Sequence, residues 1–403
     1  MEKIDFLAPE NVMFSIIYLV VVSLFFSIFI RMLVKSHVNT LYFVFVLVFY
    51  YFIFISNHFF DYLPFYPDTR MFFSMLTDNE VPVYQSKGVH QYFLFTQPLK
   101  LMSAYTLEFF MILLISISVF SYALIWRAFE IYSIHKEIRL THKIFQFYIL
   151  LICIYPASLL FLTIPLREWV TLLGFAILFY SIVLLVTKSK YGWLWFFLAF
   201  IVIVIPRPIM AIVPLIALSL VYGSFKLKAL FFGFSIVIVP VLFEFFTHYR
   251  FTPEFFAYLR NSANQTYEAS GMVYGVVVWR SYFDIILDLP LLFLQFLLSP
   301  LPILHSVNPM TMKAHLLDAA FVFIVIGLAL LNMKRYMFIF LFFTIFVAVF
   351  SIWEFYIGGA VRHRLPLVVL LLPIAALTLS QIKYIIPTRK RARKYANHNS
   401  LNS

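Results

Sequence analysis

Residues 12–33 read VMFSIIYLVVVSLFFSIFIRML, with Arg31 and Lys35 closing the run. A helix rising about 1.5 Å per residue needs about 20 apolar residues to cross roughly 30 Å of hydrocarbon. The stretch therefore reads as a membrane span with its basic end in the cytoplasm. It is not a cleavable signal peptide. The leading residues MEKIDFLAPEN set Glu2, Asp5 and Glu10 against Lys3, and the basic pair follows the apolar run instead of preceding it. Comparable runs recur at 41–56, 105–126, 144–163, 169–187, 193–206, 208–222, 229–246, 316–333, 336–353 and 366–384, which makes about eleven candidate spans, several short enough to require tilt or partial entry. Composition agrees: 63% of residues are hydrophobic and only 12% are charged, a proportion that a water-soluble core cannot bury. The expected fold is all-α, a polytopic membrane helix bundle over 1–385 with a basic cytoplasmic tail at 386–403.

Orientation follows from the basic residues. If Arg31 and Lys35 are cytoplasmic, alternate loops place Arg127, Lys136, Arg139, Lys143, Lys188, Lys190, Lys226, Lys228, Lys334 and Arg335 on the same side, with the basic tail. Only Glu130 and Glu137 among the acids join them. This is the positive-inside pattern, and it puts the N-terminus outside and the C-terminus in the cytoplasm. Residues 285–304, IILDLPLLFLQFLLSPLPIL, are apolar enough to span, but a span there would invert the basic tail. Pro290, Pro300 and Pro302 also oppose an uninterrupted helix, so an interfacial or re-entrant element on the outer face is expected. The lone cysteine, Cys153, falls inside a span and builds no disulfide framework. The net charge of +12 is a topology anchor that attracts anionic membrane lipid, not a nucleic-acid surface.

Two outer segments, 57–104 and 247–315, are long enough to carry function. In the first, Asp68 follows Pro67 and precedes Thr69, Arg70 and an apolar stretch. It can cap a helix, act as a general base on a hydroxyl, or bind a divalent metal. Asp61 and Glu80 are the substitutes for the base. Arginines collect at the same side: Arg167 with Glu168 in PLREW, Arg207 in IPRP, Arg260 and Arg280 in the second long segment, and Arg362, His363 and Arg364 in GGAVRHRLP ahead of the last span. The plain alternative is snorkelling or local pairing, Arg167 with Glu168 or Arg364 with Glu354. The positive-inside rule does not call for cations on the outer side, so their concentration there points to an anionic ligand, and guanidinium forks match phosphate oxygens. There is no Walker loop, dinucleotide fingerprint, His/Cys metal spacing or G-x-S-x-G. Energy must then come from an activated substrate or a gradient.

In size, span number, Phe/Ile/Leu content and a large outer loop in the C-terminal half, the chain resembles the Wzy-type O-antigen and exopolysaccharide polymerases of bacterial surface-polysaccharide clusters. Arg260 followed by Gly271 in RNSANQTYEASG has the R-x10-G spacing of some of their periplasmic loops. Asp68 in the first long loop, PLREW opening a span and Arg207-Pro208 closing one are similar to GT-C-type glycosyltransferases. The resemblance implies a bacterial inner-membrane enzyme that joins polyprenyl-diphosphate-linked repeat units on the periplasmic face, with flippase and chain-length-regulator proteins as partners. The alternatives are a GT-C-type transferase with a polyprenyl-phosphate sugar donor and a lipid-linked oligosaccharide flippase or transporter. The last ranks lower, because the charges lie near the outer boundary and no internal repeat is visible. The chain departs from both enzyme patterns: the Arg…His-Asn arrangement of O-antigen ligases is missing, and the acid follows the second span instead of the first.

Overall fold

The structure, a computed structural model, describes residues 9–63, 72, 87–104, 106–206, 210, 212–221, 249–267, 273–301 and 309–385, with scattered positions in 226–245. Asp68, Arg70, Glu80, Arg207, most of 229–246 and the tail 386–403 lie outside the described residues. The described elements are helical: α1 (Pro9–Val34), α2 (His37–Phe60), α3 (Lys87–Met102), α4 (Leu107–His135), α5 (His142–Ile154), α6 (Pro156–Phe161), α7 (Glu168–Val186), α8 (Gly192–Val204), α9 (Ile212–Val221), α10 (Pro253–Tyr267), α11 (Tyr282–Leu298), α12 (Pro309–Leu330), α13 (Met337–Trp353) and α14 (Ile357–Ile385).

Six of these are long and apolar enough to cross a membrane: α1, α2, α4, α7, α12 and α14. α5, α8 and α13 are apolar but shorter. The described helices therefore supply fewer full-length spans than the eleven apolar runs imply, and prolines are part of the reason. The run 144–163 breaks into α5 and α6 at Tyr155, because Pro156 has no N–H and restricts the residue before it. The runs 193–206 and 208–222, separated by Pro206 and Pro208, shrink to α8 and α9. The last run errs the other way. Its helix begins at Ile357, so Arg362, His363 and Arg364 belong to α14 itself and not to a loop ahead of it.

α4, α7 and α14 form the centre, with 83%, 83% and 78% of their apolar windows buried against 11% for α1. α14 packs against α5, α7 and α12, and α4 against α1 and α7. At Gly174 of α7, an added Cβ would lie 2.5 Å from Ile203 Cγ1 of α8, so the close approach of these two helices requires glycine. The two ends of the bundle are chemically distinct. At one end the Ser133 and Tyr336 hydroxyls share a 3.0 Å hydrogen bond, and Asn332 Nδ2 donates to Thr378 Oγ1 at 2.7 Å. At the other end the segments with outer sequence character meet one another: Tyr92 with Trp169, Glu168 with Arg362, and Arg260 with the Glu354 carbonyl.

α11 belongs to that second end. Ser281 and Asp284 close a capping box at its start, and the Tyr282 hydroxyl donates to Phe251 O ahead of α10. At its far end the Ser299 hydroxyl donates to Ile357 O, in the first turn of α14. Both termini of α11 are thus tied to neighbouring segments, the loop ahead of α10 and the start of α14. Phe283, Ile286, Leu287, Leu291 and Leu294 are exposed along its length. They recur at helical spacing and leave one apolar side for lipid.

Candidate functional site

The PLREW turn sets Glu168 in the first turn of α7, where the helix N-terminus favours an anion. Its side chain is 2% exposed. From α14, Arg362 brings Nε to 2.9 Å from Glu168 Oε1 and keeps 15% of its side chain exposed. A buried carboxylate therefore holds a guanidinium at the edge of the bundle. Arg167, just before α7, is half-buried with Cζ 5.6 Å from the Phe72 ring centroid. Next to it the Trp169 indole donates to the Tyr92 hydroxyl at 3.0 Å, and Phe72 and Phe95 pack edge-on and tilted around this pair.

Successive residues on an α-helix point about 100° apart, so the Arg-His-Arg run of α14 addresses three different neighbours. Arg362 turns to α7. His363 turns to the α13–α14 connection, where its Nδ1 pairs with Glu354 Oε2 and its ring stands 6.0 Å from Phe350. Arg364 turns to α12 and is fully enclosed. Its Nε lies 2.9 Å from Asp318 Oδ2, with Nη2 on the same oxygen and on Ser299 O, and Nη1 on Phe296 O and Leu297 O. Every N–H donor of the guanidinium is used. Asp318 Oδ1 in turn accepts from the Ala157 N–H, in the first turn of α6, at 2.9 Å. The pair thus places a cation on the carbonyl end of α11 and an anion on the amide end of α6, each the favourable sign for its helix terminus.

Glu354 is the hub of this cluster. Its Oε1 accepts from the Tyr356 N–H at 3.2 Å, and its main-chain carbonyl accepts from Arg260 Nη1. Burial pushes the Glu354 carboxyl up, but His363, the Tyr356 N–H and Arg362 outweigh it and hold the group below the usual carboxylate range. Gly359 makes room for it: a Cβ there would stand 2.8 Å from Glu354 Cδ. Arg260 is buried, with further bonds to Ser351 O at 3.2 Å and Gln295 Oε1 at 3.4 Å. Burial draws its guanidinium down to about 10, which leaves it a cation at neutral pH.

The sequence-derived candidates therefore separate. Glu168 joins Arg362 to the turn that carries Arg167, His363 pairs with Glu354, and Arg260 reaches the Glu354 carbonyl. Arg364 is a substrate-binding candidate by sequence, but in the fold its donors are committed to Asp318 and three carbonyls. Arg280 is exposed, and its described contact is local, a backbone N–H to Asp284 Oδ2 at 2.8 Å. Asp61 closes α2 in the left-handed region at φ 47°, its N–H on Asn57 O and its side chain exposed. Among the described contacts Glu168 pairs with Arg362 and Glu354 with His363. Sequence reading missed Asp318 and gave Glu354 the wrong partner. Asp318 had a signal, an acid inside the apolar run that starts at His315, since a charge at that depth requires a partner. Among the described residues no group of three or more His, Cys, Asp and Glu is placed to hold a metal ion. No protein-family model, curated protein or solved structure matches the chain.

Proposed function

We propose that the chain is a surface-polysaccharide polymerase of the bacterial inner membrane, joining polyprenyl-diphosphate-linked repeat units at its periplasmic face. The observation that carries this reading is the partly exposed Arg362, held by buried Glu168 beside Arg167 at the bundle end formed by the outer segments. A guanidinium fixed by a buried carboxylate is pre-aimed, and so stabilises charge developing on a leaving diphosphate without reorganising. Arg364 has no part in this clamp. The N-terminus lies outside and the C-terminus in the cytoplasm, which follows from the basic loops. A reporter fused after Leu401 should be active only in the cytoplasm; activity only in the periplasm would overturn the orientation and the active face together.

Asp68 supplies the base that takes the proton of the acceptor hydroxyl. Cap and base roles differ in what an amide does. Asn caps a helix about as well as Asp, whereas loss of a general base costs about 10²–10⁴-fold in rate. Asp68→Asn at matched expression should collapse the ladder of glycan chain lengths. A normal ladder would return Asp68 to a capping role and move the base to Asp61 or Glu80. The same assay separates polymerase from single-sugar transferase, since the latter adds one sugar and gives no ladder.

A further inference from the structure

We propose that His363, oriented by Glu354, is a proton donor to the leaving diphosphate, and so a second proton-transfer group of the site. This rests on the polymerase reading. The geometry is a carboxylate–imidazole pair next to a phosphate-clamp arginine on the same helix. Glu354 Oε2 faces His363 Nδ1. An ionised carboxylate only accepts hydrogen bonds, so Nδ1 carries a proton and the ring presents Nε2 as its second working atom. The pair is built in from several directions. Gly359 admits the carboxylate, the Tyr356 N–H and Arg260 fix the Glu354 segment, and Phe350 of α13 flanks the ring. Among the described residues, the charged groups around it are Glu354 on the α13–α14 connection, Arg362 on α14 and, through Arg362, Glu168 on α7, with Arg260 of α10 on the Glu354 carbonyl. An imidazolium held by a carboxylate can hydrogen-bond a phosphate oxygen.

The step balances. The bond from the donor sugar's anomeric carbon to the diphosphate oxygen breaks, and its electron pair stays on that oxygen, which takes the proton from Nε2. The acceptor hydroxyl oxygen bonds to the anomeric carbon and its proton passes to the general base of the site. Water then returns a proton to His363 and removes one from that base.

The test is binding of farnesyl diphosphate to the full-length protein in a phosphate-free maltoside detergent at pH 6 and pH 8.5, so that no lipid headgroup competes. The probe's own titration is common to all variants, so the difference between them isolates the ring. Wild type should gain about tenfold more affinity on acidification than His363→Gln does, the size of one charge-assisted hydrogen bond. His363→Arg should bind tightly at both pH values. Glu354→Gln should lose most of the extra gain, and its monodispersity on size exclusion shows whether the fold is kept. If His363→Gln and His363→Arg follow the wild-type pH dependence while Arg362→Ala loses binding, His363 is not the donor and the polymerase clamp stands. If wild type binds farnesyl diphosphate no better than Arg362→Ala, clamp and donor fall together.

Discussion

Arg364→Ala is expected to cost about 3–5 kcal/mol of stability, because it leaves Asp318 charged and unpaired in the bundle interior. The loss goes beyond one ion pair. Phe296 O, Leu297 O and Ser299 O lose their donor together, and lipid offers no water to replace it. Arg364→Lys should fall between, since one ammonium cannot serve Asp318 and three carbonyls from a fixed planar fork. The double variant Asp318→Leu with Arg364→Met removes the stranded charge and should be more stable than Arg364→Ala alone, although the carbonyls and the Ala157 N–H still lack partners. Such non-additivity is the signature of one coupled unit. Thermal unfolding of detergent-purified protein, followed with size-exclusion profiles, measures it. A wild-type midpoint for Arg364→Ala would refute the assignment, and loss of glycan with an unchanged midpoint would put Arg364 back among the ligand-binding residues.

Arg362→Ala is expected to weigh differently, with a smaller effect on folding than Arg364→Ala, because Glu168 keeps the favourable N-terminus of α7, and a large effect on product. Its side chain is partly exposed, and removing one fixed donor from a site of developing negative charge costs about 10²–10³-fold in rate. Arg362→Lys should recover only part of this, because a point charge replaces a fork. Glu168→Gln should weaken the same step by loosening the guanidinium it holds. Glycan chain length at matched expression is the readout, and full-length ladders from Arg362→Ala and Arg167→Ala alike would remove the clamp.

The two arginines sit two residues apart and were indistinguishable in GGAVRHRLP. Sequence could find the apolar runs and the arginines near their ends, because each is a local property of composition, but it took 144–163 as one span and missed the break at Pro156. It could not assign partners. Arg167 with Glu168 and Arg364 with Glu354 are neighbours along the chain, whereas pairing is set by helix phase and by which helix packs on which face. Once α14 is seen to begin at Ile357, the 100° step separates Arg362 toward α7 from Arg364 toward α12. The start of that helix was hard to read because Gly358, Gly359 and three basic residues lower the hydropathy of its first turns. Asp68, Arg70 and Glu80 of the segment 57–104 lie outside the described residues, and their roles rest on residue chemistry and spacing.

The anchoring of α11 by Arg364 has a consequence for how the chain is made. The Ser299 carbonyl and its guanidinium partner are separated by 65 residues, so the contact cannot form until α12, α13 and the start of α14 have been made. Until then α11 emerges as an apolar segment with an unanswered carbonyl end, and α12 is delivered carrying Asp318 without its counter-ion. Arrival of α14 supplies both needs with one side chain. A helix made later thereby fixes the resting place of one made well before it, and assembly must leave α11 unsettled until α14 arrives.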